Sequence, residues 1–176
     1  MEDNGILAAQ LLWGAETVKE DDDKIKIRLA DSRDLEPVVS ARIALLREIY
    51  EIPETEKFPK EFVDAAAEFF MAGDQVTAIA EDKGTLVGTA TLCYISLLPA
   101  ISRPNGRCAY LANVYTLPEY RNQKIATRLI ESLVEEARNR GVSEIICEDT
   151  ERVGTLYSRL GFTESRGCMY KSLCSD

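Results

Sequence analysis

The chain has 176 residues, 45% of them hydrophobic and 29% charged, a composition typical of one folded domain with a hydrophobic core. Its formal net charge of -9 argues against a general nucleic-acid-binding protein, which needs a basic surface, and weakly favours cationic small molecules as partners. The chain has no histidine and five cysteines without a CxxC pair, so a zinc site is disfavoured and a Cys–His nucleophile is excluded.

Residues 1–24 are predicted to form an N-terminal appendage or linker ahead of a single domain, residues 25–176. The apolar run ILAAQLLWGA is too short to span a membrane, and acidic residues precede it instead of the positive start of a signal peptide. The following KEDDDK is typical of a solvated linker. The sequence therefore predicts no membrane partner, and the cysteine pattern favours a cytoplasmic protein with reduced thiols.

The predicted domain begins with a strand and two helices. IKIRLA alternates as a short strand, and residues 31–50 place apolar side chains at helical spacing, with Asp31 or Ser32 as the N-cap. Residues 58–70 predict a second helix, with Pro59 in its first turn. The predicted apolar faces are Leu35, Val38, Val39, Ile43, Leu46 and Ile49 in the first helix, and Phe62, Ala65, Ala66, Phe69 and Phe70 in the second.

Three strands and the strongest helix pattern come next. QVTAIAEDKGTLVGTATLCYI predicts two strands joined by a tight turn at Lys83-Gly84. A long loop, residues 97–107, leads to the strand CAYLANVYTL, which Pro118 ends because proline cannot donate to a sheet ladder. The apolar stripe of the following helix is Ile125, Leu129, Ile130, Leu133, Val134 and Ala137, with Gly141 as the C-terminal cap.

The C-terminal elements are a strand, a short helix and a hairpin. VSEIICED predicts a strand with consecutive buried isoleucines, and FTESRGCMYKSL predicts a closing hairpin. TERVGTLYSRLG predicts a helix that ends at Gly161 and turns Val153, Leu156, Tyr157 and Leu160 inward. The order β-α-α-β-β-β-α-β-α-β-β predicts the α/β (α+β) class, with a mixed, largely antiparallel central sheet flanked by helices.

The segment YRNQKIATRL, at the start of the strongest helix, is a candidate anion site. The first amides of a helix have no intrahelical partners, and the helix dipole favours an anion there. Several backbone N–H groups could point at one diphosphate, the hydroxyl of Thr127 could join them, and three cations add positive charge. The amides belong to Asn122, Lys124, Ile125 and Ala126, and the cations are Arg121, Lys124 and Arg128. An ordinary charged helix start is the alternative.

LANVYTLPEYRNQKIATRLIESLVEEARNRGV and LYSRLGF, together with the element order, resemble the GNAT superfamily of N-acetyltransferases over about residues 25–172. The resemblance implies a GNAT-like fold and a loop, Arg/Gln-x-x-Gly-x-Gly/Ala, that cradles the pyrophosphate of acetyl-CoA. The matching residues here are Arg121, Asn122, Gln123, Lys124, Ile125 and Ala126.

Lys124 stands where that family usually has glycine. At a positive φ, lysine would cost about 1 kcal/mol, whereas in a helical conformation it costs nothing and can add a phosphate contact. We expect the helical conformation, because Ala126 keeps the tighter position small.

The resemblance also implies a bulge in the strand ANVYTL, which separates it from EIICED and leaves a gap for the pantetheine arm. Backbone groups near Tyr115 and Leu117 would bond the pantetheine amides. An N–H near Val114 or Tyr115 would polarise the thioester carbonyl and act as an oxyanion hole.

Tyr157 corresponds to the tyrosine that protonates the departing CoA thiolate in many members of the family. A phenol with a pKa of about 10 suits donation to a thiolate whose acid has a pKa of about 8.5. Packing on the apolar face of its helix is the alternative.

Glu148 and Asp149, at the end of the fifth predicted strand, are the candidates for a general base, with helix capping as their alternative role. Tyr110 and Asn113 could instead orient a water, or the amine could lose its proton through ordered water alone. Cys147 is predicted to be an inert core thiol, which favours direct transfer over an acyl-enzyme.

The sequence therefore predicts a cytoplasmic, acetyl-CoA-dependent N-acetyltransferase that acts on a primary amine of a small molecule or protein, in a ternary complex and without a metal. The alternative is a catalytically weak or inactive CoA-binding or regulatory module of the same fold. An interaction domain whose N-terminal segment docks a partner is a third interpretation, and a homodimer is plausible. The acceptor itself is not identified by the sequence.

Overall fold

A computed structural model of the chain describes residues 25–148 and 154–164. Its strands are β1 (Ile25–Leu29), β2 (Gln75–Asp82), β3 (Thr85–Ser96), β4 (Arg107–Thr116) and β5 (Glu144–Cys147). Its helices are α1 (Leu35–Tyr50), α2 (Lys60–Met71), α3 (Ile125–Asn139) and α4 (Gly154–Arg159), with 3-10 turns at Ser32–Asp34 and Pro118–Tyr120.

The strands form one sheet in the order β1-β2-β3-β4-β5. The first four are antiparallel neighbours, while β5 pairs parallel to β4, because α3 carries the chain back between them. The predicted mixed, largely antiparallel sheet flanked by helices is confirmed. The predicted appendage, residues 1–24, and most of the predicted closing hairpin lie outside the described residues.

The face of the sheet under α3 is the hydrophobic core. The predicted stripe of α3 is confirmed, since all of it is buried except the half-buried Val134. Gly88 allows the close approach of α3 to the sheet: a Cβ there would lie 3.0 Å from Ile125 Cγ2 and 3.1 Å from the carbonyl oxygen of Tyr115. The strand residues in this core include Val76, Ala78, Ala80, Ala90, Leu92, Ala109 and Leu111.

The opposite face, under α1, is more polar. Helix α1 packs against β3 and β4, and Val38 and Leu46 are among its buried residues. Thr77 and Thr91 lie opposite each other on β2 and β3, and their buried hydroxyl oxygens are 3.0 Å apart. Thr89 is on the same side of β3 as Thr91, because alternate strand residues share a face, and it is fully buried.

The start of α1 is fixed by a network of charges. Asp31 caps the 3-10 turn Ser32–Asp34 and forms a capping box with Asp34. Asp34 is the N-cap residue of α1 itself, so the predicted N-cap, Asp31 or Ser32, lies one turn too early, because a 3-10 turn precedes the α-helix. The guanidinium of Arg28 on β1 donates to Asp34 at 2.6 Å and to Glu81 on β2 at 2.7 Å. These bonds from Arg28 hold the pKa of both carboxyl groups below the ordinary range.

Some predicted burial is wrong. Helix α2 contains no fully buried residue, because it packs mainly on α1, and Ala65 and Phe69 of its predicted apolar face are exposed. Ile49, in the last turn of α1, is 52% exposed. Ile146 on β5 is 36% exposed instead of buried, and Cys147 is only half-buried, because β5 pairs with β4 alone among the described strands.

Candidate acyl-donor site

Strand β4 carries the bulge that the sequence predicts. Thr91 on β3 pairs with Ala112, but the next pairing joins Thr89 to Tyr115, so β4 contains one extra residue between these pairs. Asn113 lies in this bulge with a left-handed φ of 54°. The pairing of β5 with β4 reaches only as far as Leu111. Beyond that point, the edge of β4 that faces away from β3 has no strand partner among the described residues.

The alternation of β4 decides which backbone groups face this opening. The N–H of Leu117 donates to Val87 on β3, and its carbonyl accepts from Tyr120, so both backbone groups of Leu117 are bonded within the protein. Alternate residues of a strand point their N–H and C=O groups to opposite sides. Tyr115 therefore faces β3, as Leu117 does, and the N–H of Val114 faces the opening.

The loop before α3 has two non-glycine residues in the left-handed region. Asn122 has a φ of 63°, and Lys124, the N-cap of α3, has a φ of 60° and a ψ of 15°. The predicted helical conformation of Lys124 is therefore wrong, because α3 begins only at Ile125 and the turn that precedes it needs a positive φ. A lysine in this region costs about 1 kcal/mol relative to a residue without that strain.

The N-terminus of α3 is open to a ligand. The first intrahelical bond is donated by Arg128 to the carbonyl of Lys124, at 3.0 Å, and the Lys124 side chain makes no capping hydrogen bond. The amides of Ile125, Ala126 and Thr127 thus precede the first helical bond. Amides in this position, at the positive end of the helix dipole, favour an anion.

The three predicted cations differ in their contacts. Arg121 donates to Glu48 on α1 at 2.5 Å and to the carbonyl of Thr116 at 3.1 Å. Arg128 donates to the carbonyl of Ile25 at 3.0 Å. Lys124 is exposed and makes no hydrogen bond or ion pair within residues 25–148 and 154–164, so its charge is available to a ligand. Gln123, the remaining residue of the predicted loop, is also exposed.

Tyr157 lies on α4 and is 8% exposed. Its ring contacts that of Phe162, with the centroids 5.4 Å apart, and it belongs to the core cluster. The packing contact and the predicted acid role are compatible, because a buried ring can still direct its hydroxyl to a polar partner.

Glu148, directly after β5, is exposed, and its carboxylate accepts a hydrogen bond from Tyr110 on β4. Burial, together with this bond, raises the pKa of Tyr110 to about 12. The phenol is therefore a donor to Glu148 near neutral pH. Asp149, the other predicted base, lies outside the described residues.

Sequence reasoning missed the contacts that join α1 to this site. The Arg47 side chain donates to the carbonyls of Pro53 and Glu56 and lies over the ring of Phe58, 5.2 Å from its centroid, which organises the α1–α2 loop. The pairing of Glu48 with Arg121 was missed as well. No local pattern predicts the Glu48–Arg121 pair, because 73 residues separate the two partners.

In the described part of the chain, no group of three His, Cys, Asp or Glu residues is placed to hold a metal ion. None of the helices in those same ranges is long and apolar enough to cross a membrane.

The bulge that ends the β4–β5 pairing, beside the uncapped N-terminus of α3, makes this an α/β fold with an open sheet edge next to an anion site. The chain belongs to the acetyltransferase (GNAT) family, whose model matches residues 43–162. The family predicted from the sequence is confirmed.

Similar proteins include two N-acetyltransferases. The chain is 32% identical over 103 residues to thialysine N-epsilon-acetyltransferase of Mus musculus, a match that covers 55% of the chain and 58% of that protein. It is 40% identical over 67 residues to N-alpha-acetyltransferase 30 of Schizosaccharomyces pombe, over 36% of the chain and 41% of that protein. The matches thus span about half the length of these relatives.

A solved structure has the same fold. It is described as a predicted acetyltransferase with acetyl-CoA from Clostridium acetobutylicum. The TM-score is 0.74 at 25% identity, and the match covers 85% of the chain and 96% of that protein.

Proposed function

We propose that the chain is an acetyl-CoA-dependent N-acetyltransferase that transfers an acetyl group to a primary amine by direct attack in a ternary complex. The observation that carries this proposal is the opening of the sheet at Asn113, which exposes the N–H of Val114 beside the open N-terminus of α3. Kinship to named N-acetyltransferases, and to a structure with acetyl-CoA, supports the reaction and the cosubstrate.

The residues at the opening suit acetyl-CoA. Its diphosphate would be held by the first amides of α3, with the ammonium of Lys124 and the hydroxyl of Thr127. The pantetheine arm would lie along the uncovered edge of β4. Acetyl-CoA supplies the thioester carbonyl, and the N–H of Val114 would stabilise negative charge on its oxygen during attack.

Two proton transfers complete the proposed reaction. The attacking ammonium must first lose a proton, and Glu148 would accept it, directly or through a water held with Tyr110. The Tyr157 hydroxyl would then donate a proton to the departing CoA thiolate. Cys147 has no role in this scheme, since the acetyl group passes directly to the amine.

The acceptor remains a small amine or a protein amine, acted on in the cytoplasm by the domain of residues 25–176. The names of the relatives point to two kinds of amine, the side-chain amine of thialysine and an α-amine. A weak or inactive CoA-binding module is the second candidate, and the strained Lys124 favours it, because a left-handed lysine hinders close approach of the loop to a diphosphate.

Release of free thiol from acetyl-CoA over a panel of primary amines distinguishes the two candidates. The enzyme should release thiol at a rate that depends on the amine, with acetylated amine as the product by mass spectrometry. Calorimetric binding of acetyl-CoA without thiol release for any amine would favour the module. Absence of binding would contradict both.

A further inference from the structure

Arg42 lies in the middle of the α1 stripe that covers the sheet. It is one helical turn from Val38 and one from Leu46, which are 2% and 8% exposed, so all three side chains lie on the same side of the helix. Helix α1 packs against β3 and β4, and Arg42 is half-buried. A charged side chain thus occupies a position that the helix pattern reserves for an apolar one.

The charge of Arg42 reaches Cys93 on β3. Burial raises the pKa of the Cys93 thiol on β3, and the charge of Arg42 acts in the opposite direction. Cys93 lies opposite Tyr110 on β4. The guanidinium therefore acts on Cys93, which has Tyr110 as its neighbour on the α1 face of the sheet.

Arg42 differs from the other arginines around this face. Arg28 pairs with two carboxylates, Arg47 donates to backbone carbonyls, and Arg121 pairs with Glu48. Arg42 makes no hydrogen bond or ion pair within the described ranges, although the chain carries a net charge of -9. The guanidinium has five N–H donors, and no described group of the protein accepts from them. A partly buried guanidinium in this state favours the binding of an anion.

A negative group lies near the same strand residues. The Glu148 carboxylate accepts the hydrogen bond of Tyr110, and Glu148 is not paired with Arg42 in the structure. The strip of sheet around Cys93 and Tyr110 thus has a positive group on its α1 side and a negative group at the end of β5. Two separated charges of opposite sign fit a ligand that carries both an anion and a cation.

Buried polar groups continue from this strip to the bulge. The hydroxyl of Thr89 and both polar atoms of the Asn113 side chain are buried without a hydrogen-bond partner among the described residues. Thr89 and Asn113 are 0% and 7% exposed. Tyr110 and Asn113 are separated by about 10 Å along β4 at the usual rise of a strand. Thr89 and Asn113 therefore place these polar groups at the bulge beside Val114, three residues along β4 from Tyr110.

We propose that Arg42 binds the carboxylate of the acceptor, so that the acceptor is an amino acid whose amine is directed toward the bulge. This inference rests on the proposed function and names the substrate class of the same site. An amino-acid acceptor differs from the cationic small molecules that the acidic composition weakly favours as partners. A diamine would leave the guanidinium of Arg42 without an anion and would place a second positive charge beside it.

The test uses pairs of acceptors that differ only by a carboxylate. Lysine is compared with cadaverine, and phenylalanine with phenethylamine, by thiol release from acetyl-CoA with the full-length chain. We expect the amino acid of at least one pair to be preferred. Arg42→Gln should raise its KM about ten- to hundredfold, because a charge-assisted bond is lost, and should leave the KM of the matched amine within about twofold. Arg42→Lys should restore part of the affinity.

Arg138→Gln is the matched control, because it removes the same charge from an exposed side chain on α3, on the other face of the sheet. Equal effects of Arg42→Gln on both members of each pair, or wild-type preference for both decarboxylated amines, would overturn the proposal. Calorimetry of the same compounds with protein saturated in desulfo-CoA gives a readout that needs no turnover. If no amine supports turnover, the proposed function fails. Binding that depends on both the ligand carboxylate and Arg42 would still support the present proposal. If that binding is absent, the present proposal is overturned.

Discussion

The guanidinium of Arg121 donates to the carboxylate of Glu48 at 2.5 Å and so joins the loop before α3 to the last turns of α1. One partner belongs to the proposed diphosphate site and the other to the helix that carries Arg42. The pair is part-exposed, with 40% and 31% of the two side chains accessible. A diphosphate at α3 would therefore compete with Glu48 for the same cation.

Removal of this competition should tighten cosubstrate binding. We expect Glu48→Gln to lower the Kd for acetyl-CoA about two- to fivefold, a range that corresponds to an exposed ion pair. Calorimetry at low and high salt measures the change, which should shrink as salt screens the charges. Glu135→Gln, from an exposed pair on α3, is the control. Weaker binding in Glu48→Gln would mean that Glu48 positions Arg121 for the ligand.

The left-handed Lys124 should limit stability. Lys124→Gly is expected to raise the free energy of unfolding by up to about 1 kcal/mol, because glycine adopts a positive φ without a Cβ clash. Lys124→Ala keeps the strain and removes the charge, so it should not be stabilised. Urea unfolding compares the free energies of unfolding of the three proteins. Equal stability of the glycine and alanine variants would show that the backbone at position 124 is not strained.

The same two variants separate charge from geometry in binding. If the Lys124 ammonium contacts the diphosphate, both variants should bind acetyl-CoA more weakly than the parent chain, with a reduced salt dependence. Much tighter binding by Lys124→Gly would instead mean that the strained loop obstructs the diphosphate.

Tyr157 can be tested by removal of its hydroxyl alone. We expect Tyr157→Phe to lower kcat about a hundredfold, the smaller end of general-acid effects, with little change in the KM for acetyl-CoA. The packed ring keeps its contact with Phe162, so the fold should be retained. Tyr50→Phe, at a tyrosine that is 69% exposed, is the control. Full turnover in Tyr157→Phe would leave packing as the role of this residue.

The Arg28 network predicts a loss of stability in acid. Hydrogen bonds from Arg28 lower the pKa of Asp34 and Glu81 in the folded chain. Their stabilising contribution is complete above the unfolded pKa values, about 4, and is lost as pH falls through the lower folded values. Urea unfolding at pH 7 and pH 3 should therefore show a smaller acid-induced loss in Arg28→Met than in the parent chain. An unchanged loss would exclude this network as a cause.

Sequence periodicity predicted most of the fold because the elements with the clearest patterns are those that pack on the core. The apolar stripe of α3 was predicted correctly, since a helix that packs on a sheet needs apolar residues at that spacing. The buried face of α2 was predicted wrongly, because Phe69 is apolar yet lies beyond the area that α1 covers. An apolar residue is a necessary sign of burial and not a sufficient one.

The site was predictable where it depends on the order of residues along the chain, as in the loop from Arg121 to Ala126. The left-handed conformation of Lys124 was not predictable, because the turn that joins β4 to α3 imposes it. Arg42 and Glu48 are not predictable for a different reason. The pattern of α1 indicates only its apolar face, whereas the roles of these two residues depend on groups far away in the sequence, Cys93 and Arg121.

The gap between β4 and β5 has a consequence for the order of events. The proposed opening would have one end next to α3 and the other under α1. We expect the donor and the acceptor to arrive and leave by different ends, so neither has to wait for the other. Initial-rate plots should then show intersecting lines, and CoA should be able to depart before or after the acetylated product.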